Sequence, residues 1–324
     1  MKHNVKITIL LLAMFLVTQF IGLYVVNYYS PVKVISGGQI QNVTAPALPY
    51  GLQTPQITQP SDYTNFLYAI VIAFVIAIVL LFLFTKFKMK FIIKTWFFIV
   101  IIIALGIFFN SVVPTSIPYS SWIAVAIAIP LAIIKVYKRN FFVHNLTELM
   151  IYPGIAAVFV PILNLWTIIA LLVAISIYDI WAVWHSGIMQ KMAKYQINEL
   201  NIFSGFFVPY MSKKLKEKVQ KLKAKSKNKK KKVRVKLSLA ILGGGDVIFP
   251  IIAAGVVLTT GTVMLPFGLH PFVGGFIPAI FVSIGAALGL AYLFLSSEKK
   301  KFYPAMPFIT AGIFLALILS YLIL

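Results

Sequence analysis

The sequence contains no cysteine, which excludes disulfides and a cysteine nucleophile and leaves the redox compartment undetermined. Charged residues are also scarce, at 11% of 324 residues, whereas a soluble domain usually contains about a quarter. Acidic residues are the rarest of these, since seven Asp and Glu stand against 29 Lys and Arg. With 60% hydrophobic residues, this composition predicts a polytopic membrane protein.

Long apolar runs mark nine candidate spans, which we predict to be α-helices in an all-α fold. We place them at 7–28, 66–84, 95–113, 121–137, 149–163, 165–185, 237–258, 274–295 and 304–323. The chain then divides into an N-terminal membrane portion at 1–195, a basic loop at 196–236 and a C-terminal membrane portion at 237–324. Lysine- and isoleucine-rich usage favours a prokaryote, and hence its cell membrane, as the location.

The distribution of positive charge predicts the orientation of these spans. A net charge of +22 would suit nucleic-acid binding, but the basic residues lie in short segments between apolar runs, so we expect no nucleic-acid partner. With the N-terminus inside, 28 of the 29 basic residues fall on the inner side and only Lys33 lies outside. We therefore predict a cytoplasmic N-terminus and an external C-terminus.

Two loops stand out between the spans. The outer segment 29–65 is rich in Pro, Gly, Gln and Thr, and we expect it to be irregular. The inner loop carries fourteen basic residues between Lys213 and Lys236. One interpretation is a solvated tether that enforces topology, and the other is binding to anionic lipid headgroups.

The chain has three aspartates, and two of them lie within apolar segments. Asp62 is in a polar loop, whereas Asp179 lies in ISIYDIWAVW and Asp246 in AILGGGDVIFP. A carboxylate costs roughly 3 kcal/mol to insert at the centre of a membrane helix, so an intramembrane aspartate is a functional-site candidate. A helical rise places Asp179 about 21 Å below the outer surface and Asp246 about 13 Å above the inner one. Antiparallel neighbouring helices would bring these carboxyls face to face.

A pair of close carboxyls has a defined chemistry. Because both cannot ionise cheaply, one keeps its proton while the other is an anion. The anion accepts a proton from water as the water attacks a carbonyl, and its partner protonates the leaving nitrogen. We expect no metal or other cofactor beyond this catalytic water, because the four histidines are scattered along the chain.

The residues around the aspartates extend the candidate site. Gly243, Gly244 and Gly245 precede Asp246, and they either allow close helix packing or let backbone or substrate approach the carboxylate. Tyr178 precedes Asp179, and it either donates a hydrogen bond or packs.

Tyr178-Asp179 and Gly243-Gly244-Gly245-Asp246 resemble the YD and GxGD motifs of the presenilin/signal peptide peptidase family of intramembrane aspartyl proteases. The family's third motif, Pro-Ala-Leu, is similar to Pro304-Ala305-Met306-Pro307 at the ninth span. Methionine at 306 is a departure of similar volume. A literal Pro46-Ala47-Leu48-Pro49 lies in the outer loop, on the wrong side for both aspartates, and we interpret it as coincidental.

The resemblance implies a presenilin-like fold of nine spans and an endopeptidase that uses Asp179 and Asp246. Its substrates would be transmembrane helices of membrane proteins or signal-peptide remnants. The charge distribution matches presenilins, whose N-terminus is cytoplasmic, rather than signal peptide peptidases, which are inverted. Substrate helices would then have their N-terminus outside. The sequence does not indicate whether accessory subunits or a homo-oligomer are needed.

Two further features lie outside these motifs. Val233, Val235, Leu237 and Leu239 alternate with polar residues, which is typical of a strand and would suit pairing with an unwound substrate. The alternative is a basic stop followed by the start of a helix. Glu148 begins the fifth span, where we expect it at the inner membrane edge and outside the site.

Two other functions fit an intramembrane aspartate pair less well. A cation-coupled transporter uses such residues as an ion relay, but it gives no role to the lysine-rich loop or to the proline motif of span nine. A membrane scaffold leaves the cost of two buried aspartates unexplained.

Overall fold

The computed structural model describes residues 5–36, 39–43, 46–53, 55, 57–138, 140–186, 195, 202–210, 238–264, 270–298 and 303–323. Helix dominates this part of the chain. Its α-helices are α1 Val5–Tyr28, α2 Pro60–Lys86, α3 Lys90–Val112, α4 Ser120–Tyr137, α5 Phe141–Phe159, α6 Leu165–Ile180, α7 Gly244–Thr259, α8 Phe276–Ser296 and α9 Met306–Ile323. Three small two-stranded sheets accompany them.

Eight of the described helices are long and apolar enough to cross a membrane. In this count α6 includes the helical turn that follows it and runs to Ser186. The remaining helix, α7, has 16 residues and falls short of that length. The predicted multi-pass helical architecture is therefore confirmed. The count of nine spans, the orientation of the termini and the division into three portions stay predictions.

The predicted start of the seventh span was wrong. Residues Ser238–Gly243 form strand β4, which pairs antiparallel with β3 at Gly205–Tyr210, and the helix begins only at Gly244. Glycines disfavour helix, and Gly243 closes the strand at its pairing with Gly205. Asp246 consequently lies in the first turn of α7 rather than well inside a helix, so the predicted depth of 13 Å does not hold.

The outer segment is also more regular than predicted. Strands β1 at Val32–Ser36 and β2 at Gln39–Val43 form an antiparallel hairpin. A second short pairing joins β5 at Thr262–Val263 to β6 at Phe272–Val273. The proposed lysine-rich tether lies largely outside the described residues, as do Val233, Val235 and Leu237 of the predicted strand.

Helix packing brings the C-terminal helices to the centre. α1 packs against α5, α7 and α8, and a Cβ added at Gly22 would strike Ile251 of α7. α8 and α9 also approach closely, since a Cβ on Gly285 would overlap the carbonyl oxygen of Gly312. By contrast, α2 has no buried residue and lies at the periphery. The core therefore surrounds the elements that carry the two aspartates.

Candidate active site

Asp179 lies near the end of α6, and its side chain is 5% exposed. Its Oδ2 accepts a hydrogen bond of 3.0 Å from the backbone N–H of Met306, the first residue of α9. The N-terminus of a helix carries partial positive charge and unpaired N–H groups, so it is a favourable partner for a carboxylate. Directly after α6, Trp181–Ser186 form a π-helical turn, a feature often found at functional sites.

Asp246 occupies the first turn of α7, directly after strand β4. Its partly buried carboxyl lies close to Gly243, since a Cβ on that glycine would be 3.1 Å from Asp246 Oδ2. An acidic group in the first turn also interacts favourably with the dipole of its own helix. The strand-to-helix junction thus fixes this carboxyl through backbone geometry.

The two aspartates come from different helices and lie near neighbouring residues of one segment. Asp179 accepts the N–H of Met306, and Asp246 lines the same cavity as Ala305, the residue before Met306. The structure therefore places both residues that sequence analysis paired at the segment Ala305–Met306, and their direct pairing stays a prediction. Ala305 and Met306 are 9% and 3% exposed, and Pro304 is also buried, so the segment is held within the core.

A small cavity opens beside Asp246. Its volume is about 80 Å³, which is room for several water molecules, since each needs roughly 10–15 Å³ by this measure. Strand β4, the end of α8, Tyr303 and Ala305 line it. The cavity gives water access to the carboxyl of Asp246.

The three glycines of the motif have different surroundings. A Cβ on Gly244 would lie 2.7 Å from Ser204 Oγ and 2.9 Å from Tyr152 Oη, so only glycine fits there without a shift. A Cβ on Gly243 would lie 3.1 Å from Asp246 Oδ2. Gly245 is exposed, and its nearest neighbour would be Phe249 at 3.7 Å. Close packing therefore explains Gly244, whereas Gly245 leaves space beside the carboxyl.

The remaining motif residues divide into site and packing positions. The ring of Tyr178 packs edge-on against Phe74 of α2, with centroids 5.3 Å apart. This contact favours the packing role over the hydrogen-bond role. Pro307 follows Met306 in the first turn of α9, where proline is well accommodated. The outer-loop Leu48 packs with Val25 and Ile107 instead, far from the contacts of Asp179.

Sequence analysis missed several buried polar contacts around the site. Ser176 Oγ and Thr310 Oγ1 lie 2.9 Å apart and join α6 to α9, one turn from Asp179. Gln19 of α1 donates to the carbonyl of Val247, the residue after Asp246. The sequence feature that could have indicated these contacts is the presence of single polar residues in otherwise apolar helices, since such residues often form hydrogen bonds between helices.

Glu148, which we predicted at the inner membrane edge, is buried within the protein at 1% exposure, and its depth in the membrane stays a prediction. Its Oε1 accepts a hydrogen bond from Lys135 Nζ at 2.7 Å. Lys135 lies in α4, within the predicted span 121–137, and its side chain is buried as well. The rotation of adjacent helices about their axes decides such a pairing, and an isolated sequence does not reveal it.

Comparison with known proteins gives one consistent family. A family model described as "Signal-peptide peptidase, presenilin aspartyl protease" matches residues 40–324. No curated protein matches the chain. Among solved structures, a presenilin family intramembrane aspartate protease in space group C222 has a TM-score of 0.58 and 16% identity, covering 98% of this chain and 99% of that one. A presenilin family intramembrane aspartate protease in space group P2 has a TM-score of 0.56 and 15% sequence identity, and the match covers 97% of each chain.

Proposed function

Because the chain belongs to the signal-peptide peptidase and presenilin family of aspartyl proteases, we propose that it is an intramembrane endopeptidase with Asp179 and Asp246 as its catalytic pair. The family indicates a multi-pass membrane protease, and neither comparison supports the transporter alternative. The observation that supports the proposal is that Asp179 accepts the N–H of Met306 while Asp246 lines one cavity with Ala305, the residue before Met306. The two aspartates belong to different helices, α6 and α7.

The proposed chemistry is direct attack by water. The ionised carboxylate takes a proton from a water molecule as the water oxygen adds to the carbonyl carbon of the scissile bond. The protonated carboxyl hydrogen-bonds the carbonyl oxygen and then gives its proton to the leaving nitrogen as the C–N bond breaks. We assign the negative charge to Asp179, because the N–H of Met306 donates to it at 3.0 Å.

The substrate must expose an extended backbone before it is cut. A membrane helix hides its peptide groups in i→i−4 hydrogen bonds, so local unwinding leaves those groups unpaired. Within the described residues, β4 is paired with β3 alone, so its second edge offers partners to an unwound segment. Leu242 of β4 lines the cavity beside Asp246, so a strand added there would lie next to the carboxyls. This site adjoins the pairing predicted at 233–239.

The proposed substrates are transmembrane helices with their N-terminus outside, cut toward the cytoplasmic face. This direction depends on the positive-inside orientation, in which the N-terminus of the protein is cytoplasmic. Water is the only co-substrate in the proposal. Binding of the Lys213–Lys236 run to anionic headgroups stays a prediction, as does the prokaryotic cell membrane.

Purified protein reconstituted into lipid vesicles tests the function with a labelled transmembrane peptide. We expect the parent to cut the peptide and Asp179→Asn and Asp246→Asn to be inert while retaining their helical circular dichroism. Mass spectrometry of the products locates the bond, and cleavage outside the transmembrane segment would contradict the proposal. Variants that cut as fast as the parent would also refute it. Ion flux in the same vesicles would return the transporter to consideration.

A further inference from the structure

Strand β3 has two edges, and α5 occupies the one that β4 leaves open. Asn145 Nδ2 donates to the carbonyl oxygen of Phe207 at 3.0 Å, and the N–H of Phe207 donates to Asn145 Oδ1 at 3.2 Å. This reciprocal pair of bonds is what a residue of a neighbouring antiparallel strand would supply. A single side chain thus takes the place of a third strand.

Gly205, two residues earlier, directs its backbone to the same edge because a strand has a period of two. Its carbonyl oxygen lies 2.9 Å from His144 Nε2, and its N–H donates to Glu148 Oε1 at 3.4 Å. Both backbone groups of Gly205 and both of Phe207 are therefore satisfied by side chains of α5.

A buried ion pair supports these contacts from behind. Lys135 Nζ donates to Glu148 Oε1 at 2.7 Å, with side-chain exposures of 4% and 1%. The same ammonium lies 3.4 Å from His144 Nδ1. An ammonium has only donors, so Nδ1 accepts and Nε2 carries the hydrogen that is donated to Gly205.

Stability alone does not account for this ion pair. Replacing a buried ion pair with apolar residues of similar volume is often neutral or stabilising, so its presence adds little as a source of folding free energy. A role in fixing the position of β3 fits better. The side chains of α5 bind the backbone of β3, and Lys135 binds two of those side chains. The four residues Lys135, His144, Asn145 and Glu148 are called the edge cluster below.

The edge cluster connects to the catalytic pair through the sheet. Gly205 of β3 pairs with Gly243 of β4, and the N–H of Gly244 donates to the carbonyl of Ser204 at 3.3 Å. Asp246 follows two residues after Gly244. The position of β3 on α5 therefore determines where α7 begins and where its carboxyl lies.

We propose that the edge cluster closes one side of the β3–β4 sheet and fixes its register, so that a substrate adds only at β4 and one particular peptide bond meets the aspartates. This inference rests on the proposed protease function. The four residues are positioning residues: His144, Asn145 and Glu148 contact β3, Lys135 contacts His144 and Glu148, and none is assigned a contact with the reacting atoms. They determine where the substrate is cut more than how fast the bond breaks.

Asn145→Leu is the most informative change, because it keeps the branched shape and the number of heavy atoms and removes both bonds to Phe207. Losing two hydrogen bonds of ordinary strength should raise KM for a labelled transmembrane peptide about tenfold, with kcat changing less. Mass spectrometry should show cuts spread to neighbouring bonds. Thr147→Val is the matched control. Thr147 is buried on the same helix, and among the described residues its hydroxyl donates to the backbone carbonyls of Val143 and His144 in that helix, so KM and cleavage site should stay as in the parent.

Hydrogen exchange provides a readout that needs no cleavage. The Phe207 amide should exchange about tenfold faster in Asn145→Leu than in the parent or in Thr147→Val. Unchanged exchange would overturn the inference whether or not any peptide is cut. If the parent cuts but Asn145→Leu keeps its cleavage site and KM, this inference fails and the proposed function stands. Should Asn145→Leu not fold, Asn145→Asp carries the KM and cleavage-site test, because it loses the donor to the Phe207 carbonyl. It keeps an acceptor for the Phe207 N–H, so the exchange of that amide should then stay as in the parent. An unchanged KM and cleavage site in Asn145→Asp would overturn the inference.

Discussion

Gly244 and Gly245 begin α7 side by side, and replacing each by alanine should affect stability differently. Both changes gain helix propensity of up to about 1 kcal/mol. At Gly245 the added Cβ meets nothing closer than Phe249 at 3.7 Å, which is an ordinary contact. We therefore expect Gly245→Ala to be as stable as the parent or more stable by up to about 1 kcal/mol.

At Gly244 the added Cβ would meet two oxygens, and one of them is held in place. Ser204 is exposed and its hydroxyl can turn away, but Tyr152 is fully buried and its ring packs edge-on against Phe206. Overpacking of this kind costs about 1–3 kcal/mol. Because the helix gain is common to both variants, Gly244→Ala should be less stable than Gly245→Ala by that same 1–3 kcal/mol.

Reversible unfolding in mixed micelles measures this difference, with helical circular dichroism as the signal. Tyr152→Phe removes the hydroxyl from the contact, so in that background the difference between the two alanine variants should shrink by at least about 0.5 kcal/mol. Equal stability of Gly244→Ala and Gly245→Ala would refute the packing explanation. A difference that Tyr152→Phe leaves unchanged would show that Tyr152 is not the obstacle.

Two further substitutions probe the segment that meets the aspartates and the helices that support it. Met306→Leu should keep the cleavage rate within about threefold, because the hydrogen bond to Asp179 comes from the backbone N–H. It should lower the free energy of unfolding by less than about 1.5 kcal/mol, because the two side chains have similar volumes. A large loss of cleavage would mean that the thioether itself acts in the site. Gly285→Ala should lower the free energy of unfolding by about 1–3 kcal/mol, because its Cβ would overlap the backbone of Gly312 and separate α8 from α9. Thermal unfolding checks the second change, and an unchanged midpoint would contradict it.

The helices were predictable because long apolar runs have few alternatives in a membrane protein. One apolar segment does not form a helix. Residues Ser238–Gly243 have a composition that continues the apolar run of α7, yet they form strand β4. Its pairing partner, Gly205–Tyr210, lies more than thirty residues earlier, across a lysine-rich loop. A pattern confined to one segment does not reveal such a partner.

The site was predictable at the level of residues and not of atoms. Unpaired aspartates in apolar segments are costly, so Asp179 and Asp246 stood out on physical grounds. That Asp179 accepts the N–H of Met306 depends on where α9 begins and how it packs on α6. Glu148 shows the same limit, because its partner Lys135 belongs to another helix, and the sequence of one helix does not reveal which residue of another helix it meets.

Single-turnover cleavage by the parent, Asp179→Asn, Asp246→Asn and the double variant tests most directly whether the two carboxyls act as one unit. Residues that act together lose their contribution when either is removed. We therefore predict that both single variants and the double variant share the same residual rate. A double variant whose cleavage rate falls by the product of the two single losses would contradict a shared catalytic pair. So would a single variant that retains most of the parent rate.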